Sequence, residues 1–182
     1  GTCVERGGQQ RRQRVQQALD AERAQRRTRE DRHQLRMADA REEARAATGG
    51  AATGIYVTEM ITSRALVERN DETMRMIATD LDESPRSVQL YGVDPPTVAS
   101  AVRILVAEDR ADHIDLNFGC PVAKVTRKGG GSALPWKRGL FRAIVAAAVT
   151  TASDVARADG RDPVPVTVKM RKGVDDDHLT YL

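Results

Sequence analysis

Four short runs in which apolar and polar residues alternate, at residues 55–60, 87–91, 113–118 and 164–170, are separated by stretches with helical spacing. The repeat of about 30 residues is that of a strand–helix–strand unit, and parallel neighbours need such a long connection, so the chain is restricted to right-handed crossovers on a parallel sheet. Between the second and third runs, Asp94 can cap a helix with Pro95 at its first position, and Val98, Val102, Leu105 and Val106 form its buried face. Between the third and fourth, a helix is expected from Leu140 to about Ala158, with Phe141, Ile144, Val145, Ala148 and Val149 on one side and Gly160 as terminator. Residues 63–79 are helical in pattern, with a break near Asn70-Asp71. Four such strands make half of an eightfold barrel or one wing of an open, doubly wound sheet.

The polar members of each run favour the barrel. Ser87, Gln89 and Tyr91 share one face of their strand, as do Asp115 and Asn117, and Thr167, Lys169 and Arg171. Each strand has one apolar face suited to covering helices and one face that grows polar toward its C-terminal end. A barrel gathers such ends into a single pocket, whereas an open sheet gives Gln89, Asn117 and Lys169 no equal reason to meet. The expected fold is α/β: a partial TIM (β/α)8 barrel of about four parallel βα units over residues 54–182. Residues 1–53 form a separate zone rich in Arg, Gln and Ala, without aromatics or Lys. Their scarce apolar residues, Val15, Leu19, Leu35 and Met37, make no sustained stripe. That zone is expected to be helical or disordered, joined through a linker at 48–54.

A formal charge of +3 and a pI of about 9.1 permit an anionic partner without demanding one. The two cysteines, Cys3 and Cys120, have no metal-ligand or disulfide-framework spacing. No apolar run approaches the roughly 20 residues that cross a bilayer, and the N-terminus is charged where a signal peptide would be apolar. The expectation is a cytoplasmic protein without membrane or metal.

Chemistry concentrates where the third strand ends in Gly119-Cys120-Pro121, followed by Lys124, Arg127, Lys128 and three glycines. A thiol is thus presented at a strand's C-terminal end beside a basic loop. Taken singly, each residue has a plainer reading. Cys120 alone would more often be a small buried residue, Asn117 could cap a turn, and Lys169 with Arg171 could be a solvated strand end. Residues 129–131 fit neither a Walker loop nor a dinucleotide fingerprint and read as loop flexibility. His113 reads as structural, Asp175-Asp176-Asp177-His178 as a helix start, and Trp136 and Phe141 as packing residues.

Together, the segments Ile55-Tyr56-Val57-Thr58-Glu59-Met60, Ser87-Val88-Gln89-Leu90-Tyr91-Gly92, Ile114-Asp115-Leu116-Asn117-Phe118-Gly119-Cys120-Pro121, Lys124-Val125, Gly131-Ser132-Ala133-Leu134 and Val168-Lys169-Met170-Arg171 stand in the order and spacing of a known family. Residues 55–182 resemble the tRNA-dihydrouridine synthases, flavoproteins that reduce uridines of tRNA. The resemblance implies a TIM barrel followed by a helical domain, FMN as cofactor, NADPH as reductant and tRNA as partner. Position by position, Cys120 resembles the proton donor, Gln89 and Lys169 the FMN contacts, and Asn117 the pocket position beside the cofactor. Arg171 lies in the motif that approaches the base. Lys124, Arg127 and Lys128 are suited to gripping RNA phosphates while a uridine is withdrawn from its stack. Saturating the C5–C6 bond of uracil takes a hydride and a proton, and a thiol of ordinary acidity, about 8.5, stays protonated at neutral pH and can supply the second.

The family's first strand, with its Pro-Met-Ala-Gly turn, has no counterpart upstream of Tyr56, and the resemblance covers roughly the middle third of a complete enzyme. An open barrel exposes strand edges, so marginal stability and weak FMN retention are expected. The rival function is a non-catalytic RNA-binding or assembly module built on a degenerate half barrel.

Overall fold

The structure, a computed structural model, describes residues 16–17, 20–21, 43, 55–79, 83–173 and 179. Contacts divide the chain into two units, Gly1–Gly54 and Ile55–Leu182. The expected helical or disordered character of residues 1–53 lies almost wholly outside the described residues, as do Cys3 and residues 175–178. The few described positions before 55 are helical and exposed.

In the second unit the elements are β1 (Ile61–Thr62), α1 (Ser63–Val67), α2 (Asp71–Met76), β2 (Ser87–Tyr91), α3 (Pro95–Ala107), β3 (His113–Phe118), α4 (Ala123–Thr126), a 3-10 turn (Gly131–Ala133), α5 (Arg138–Ala158) and β4 (Val166–Met170). The strands are parallel and ordered β1-β2-β3-β4. A doubly wound sheet reverses its order at a switch point, and this one does not. The apolar alternates Val88, Leu90, Ile114, Leu116 and Phe118 join one core with the buried sides of the helices, and α3 packs against both α1 and α5. The other face carries the polar alternates, so the sheet is a segment of a TIM barrel with helices outside and polar residues within.

Each helix begins where its sequence dictates. Asp94 accepts a hydrogen bond from the Thr97 N–H at 3.0 Å, and Pro95 opens α3 where no N–H is needed. Asn70 does the same for α2, accepting from Glu72 and Thr73, and so divides 63–79 at the expected place. Gly160 ends α5 with φ +69°.

Three expectations are corrected. The first strand does not occupy 55–60: Val57 bridges Ser87, and regular pairing resumes only at Ile61 opposite Leu90. Four residues there face three, because Thr58 uses its N–H on Ser87 O and its hydroxyl, in place of a carbonyl, to accept from Gln89 N. Within α5, Val149 is exposed, whereas Ile144, Ala148, Thr151, Ala152, Val155 and Ala156 are buried. The alanines at 148, 152 and 156 recur every fourth residue and let α3 approach, which turns Val149 outward. By length and composition α5, 21 residues with a mean hydropathy of 1.3 over its most apolar window, could cross a bilayer; here it is a helix covering the sheet. Trp136, expected among the packing residues, is 51 % exposed, and the buried positions just before it are taken by Leu134 and Pro135. Phe141 does pack, its ring 5.0 Å from that of Phe118.

At the N-terminal ends of the strands, the Arg86 guanidinium grips both Asp112 carboxylate oxygens, at 2.9 and 2.7 Å, and reaches Asp109 at 3.0 Å. Arg161 closes the cluster through Asp109 and the Val106 carbonyl. The hydrogen bond from Arg86 holds the Asp112 carboxyl below its ordinary range, outweighing the opposing effect of burial. A folded-state pKa below the unfolded value stabilises the fold above the unfolded value, about 3.9, and the gain disappears as pH falls through the folded one. Asp112→Asn should therefore lower the melting temperature at pH 7, and the gap from wild type should shrink steadily below about pH 4. Equal gaps at pH 7 and at strongly acid pH would show that the pair contributes nothing.

Candidate active site

The interior face of β2, β3 and β4 is tied together by one continuous chain of hydrogen bonds. Register places Ser87 beside His113, Gln89 beside Asp115, Asp115 beside Thr167, and Asn117 beside Lys169. Ser87 Oγ lies 2.6 Å from His113 Nδ1, and His113 Nε2 lies 3.0 Å from Thr167 Oγ1. The Thr167 hydroxyl donates to Asp115 Oδ1 at 2.7 Å, and Gln89 Nε2 donates to Asp115 Oδ2 at 2.7 Å. Asn117 Nδ2 then donates to Gln89 Oε1 at 2.8 Å, leaving Asn117 Oδ1 to accept from the backbone N–H groups of Gly119 and Cys120 at 3.1 and 3.0 Å.

Donor and acceptor roles follow from Asp115, since a carboxylate only accepts. Thr167 spends its proton on Asp115 and so accepts from His113, which places a proton on Nε2; in the single-proton tautomer Nδ1 then accepts from Ser87. Ser87, Gln89, His113 and Asp115 are all buried, so a broken link would strand polar groups without water.

The chain ends on the thiol's turn, whose backbone is held from every side. Besides the two N–H groups taken by Asn117, the Gly119 carbonyl accepts from Arg171 Nε at 2.8 Å and the Cys120 carbonyl accepts from Ser132 N at 3.0 Å. Cys120 is a free, half-buried thiol. Burial pushes the Tyr91 phenol above its ordinary value, and the Cys120 sulfur pushes the same way.

The glycine run is not the flexible loop expected from sequence. A Cβ on Gly130 would lie 2.4 Å from Tyr91 Cε2, and one on Gly131 would lie 2.3 Å from the Cys120 carbonyl oxygen. These glycines let the loop pack against the strand ends. Lys124, Arg127 and Lys128 are exposed on α4 and the turn after it, and the Lys137 ammonium packs over Gly129. Between Asp115 and Asp154 the chain has no acidic residue and six basic ones.

The structure thus brings Gln89, Asn117 and Cys120 into one bonded group, with Lys169 exposed on the same face in register with Asn117. Lys124, Arg127 and Lys128 flank that group on the turn that follows, and Arg171 braces the turn itself. Among the described residues, no group of three or more His, Cys, Asp and Glu side chains is gathered to hold a metal. Sequence reasoning missed Ser87, Thr167 and Asp115 as parts of the site, and treated His113 as merely structural. The signal was present: polar residues at every second position on three successive strands must share one barrel interior.

A parallel barrel segment with a thiol, two amides and an ammonium at the C-terminal ends of its strands belongs to the class of TIM-barrel enzymes that work from that rim. The family model for dihydrouridine synthase (Dus) matches residues 27–182, so the match starts upstream of residue 55. The chain belongs to the dihydrouridine synthase family, an oxidoreductase family. It is 56 % identical over 133 residues to a "Probable tRNA-dihydrouridine synthase" of Mycobacterium tuberculosis (strain ATCC 25618 / H37Rv), covering 73 % of this chain and 32 % of the relative. A "tRNA-dihydrouridine synthase B" of Yersinia pestis is 39 % identical over 135 residues, 74 % of this chain and 38 % of the relative. A "Probable tRNA-dihydrouridine synthase" of Treponema pallidum (strain Nichols) is 35 % identical over 124 residues, 68 % of this chain and 35 % of the relative. The chain spans about a third of the length of these relatives.

Two glycines with positive φ separate backbone conformation from close approach. At Gly160 nothing lies within 4 Å of the point a Cβ would occupy, so Gly160→Ala should cost about 1–2 kcal/mol, the penalty of the left-handed conformation alone. Gly131→Ala adds a collision with the Cys120 carbonyl and should destabilise clearly more in urea denaturation. Equal losses would mean that the loop does not pack against the thiol's turn.

Proposed function

We propose that the chain carries the central part of the catalytic barrel of a flavin-dependent tRNA-dihydrouridine synthase, acting in the cytoplasm on uridines of tRNA. In this proposal residues 54–182 form the catalytic unit and residues 1–53 a separate segment. The observation that carries the reading is the bonded group Gln89–Asn117–Cys120 at the C-terminal ends of adjacent strands, beside an exposed basic turn.

The donor set suits FMN. Gln89 is 8 % exposed and has spent one amide hydrogen and one lone pair, keeping one of each for a ligand edge above it. Lys169 offers an ammonium on the same face, suited to the pyrimidine edge of an isoalloxazine, where negative charge collects on reduction. Gln89, Asn117 and Lys169 would hold the cofactor, which when bound supplies the hydride, with NADPH as the outside reductant. The Cys120 thiol gives its proton to C5 of the uracil ring. Its turn, pinned at both N–H groups and both carbonyls, keeps the sulfur at the rim and limits the reorganisation needed at the moment of transfer. Lys124, Arg127 and Lys128 hold RNA phosphates, which places a flipped uridine without reading its identity.

Dihydrouridine formation on tRNA, measured by mass spectrometry of nucleosides with FMN and NADPH supplied, is expected of a catalytic barrel that contains this part with Cys120 intact. Cys120→Ala should remove it while leaving RNA affinity and flavin binding unchanged. Activity that survived this substitution would exclude the thiol as acid. Neutralising Lys124, Arg127 and Lys128 one at a time should weaken tRNA binding similarly at all sequences, each lowering the slope of log affinity against log salt by about 1. A salt slope indifferent to all three would move the RNA elsewhere.

A further inference from the structure

Two arms of the hydrogen-bonded chain meet at Asp115, and they differ in one property. The arm through Thr167, His113 and Ser87 can run in either direction, because hydroxyls both donate and accept and a neutral imidazole exchanges tautomers. The arm through Gln89 and Asn117 cannot. It ends on two backbone N–H groups, which only donate, so Asn117 must turn its oxygen to them and its Nδ2 to Gln89. Gln89 must then offer its oxygen to Asn117 and its Nε2 to position 115. An acceptor at position 115 is therefore required on that side, while the other side tolerates a donor.

We propose that Asp115 is a positioning residue for the Cys120 turn, acting through the amide orientations of Gln89 and Asn117 rather than by touching substrate or cofactor. Its functional meaning rests on the reading of Cys120 as proton donor, but its structural consequence does not. Without an acceptor at 115 the Gln89 amide keeps only its bond to Asn117 and flips more readily. A flipped Gln89 presents Nε2 to Asn117, which must then turn its own nitrogen toward the Gly119 and Cys120 N–H groups and lose both bonds. A single buried carboxylate thereby holds, from the opposite end, the direction that the turn's two N–H groups require.

The test uses the full chain with Asp115→Asn, which matches Asp in volume, and Asp115→Leu, which keeps the branched shape but is larger and apolar. In Asp115→Asn the oxygen serves Gln89 and the new NH2 faces Thr167, which reverses the tolerant arm: Thr167 donates to His113 Nε2, and His113 carries its proton on Nδ1. Nitrogen-15 shifts of the imidazole should report that change of tautomer, and amide exchange at Gly119 and Cys120 should stay as slow as in wild type. In Asp115→Leu the same two amides should exchange about tenfold faster, with Ile114 and Leu116 amides as a check on the fold. Should the leucine variant fail to fold, Gln89→Met, which removes the relay and leaves Asp115 on Thr167, should show the same acceleration with the Nε2–H tautomer retained. The proposal is overturned if Asp115→Asn accelerates the turn amides, if it leaves His113 in the Nε2–H form, or if Gln89→Met leaves exchange unchanged. Dihydrouridine formation by a catalytic barrel that contains this part separates the two claims. Exchange that follows the proposal with an inactive wild type would defeat the functional reading alone; an active wild type with indifferent exchange would defeat the positioning role alone.

Discussion

A carboxylate can only accept hydrogen bonds, and Asp115 sits buried in the middle strand with one neighbour on each side donating to it. This constraint gives the interior of the sheet a direction. Thr167 and Gln89 are both obliged to donate inward, and every further link, to His113 and Ser87 on one side and to Asn117 and the Gly119–Cys120 turn on the other, inherits its polarity. Burying a charge among amides and hydroxyls is costly unless each partner is correctly placed, so the network specifies register as well as orientation. Sliding β2 against β3 by one residue would turn Gln89 to the helices and expose Val88 to the interior.

The two ends of the sheet have different tasks. At the N-terminal ends, Arg86, Asp109, Asp112 and Arg161 form an ion cluster that ties the loops before β2 and β3 to the end of α5. At the C-terminal ends, polar groups are spent on holding one turn, and the segment that follows it, up to Asp154, carries basic residues and no acidic one. The separation of a stabilising face from a chemical face is general to barrels of this kind, and it explains why an ion-paired end and a thiol-bearing end coexist in one small unit.

The basic turn is better ordered than its composition suggests. Gly130 and Gly131 lie against Tyr91 and the Cys120 carbonyl, so residues 123–133 form a cap packed on the strand ends. Lys124, Arg127 and Lys128 are thereby presented from a defined surface, with Lys137 folded over Gly129 beside them. For phosphate binding this reduces the ordering entropy that a loose loop would have to give up.

Much of this was legible in the chain itself, because alternation and capping are local. Asp94, Asn70 and Gly160 mark helix ends through their own side chains and backbone freedom, and β2 and β3 fall where the period of two places them. Ser87, Gln89, Asp115, Asn117 and Thr167 could be assigned to one face from spacing alone. Their bonding could not, since which amide oxygen meets which donor depends on strand register and on a carboxylate from a neighbouring strand. The bulge at Thr58, the outward turn of Val149 and the exposure of Trp136 were likewise settled by packing against elements distant in sequence. Local chemistry thus determined the elements and the face that would hold the site, whereas the direction of its hydrogen bonds arose only when three strands came into register around one buried charge.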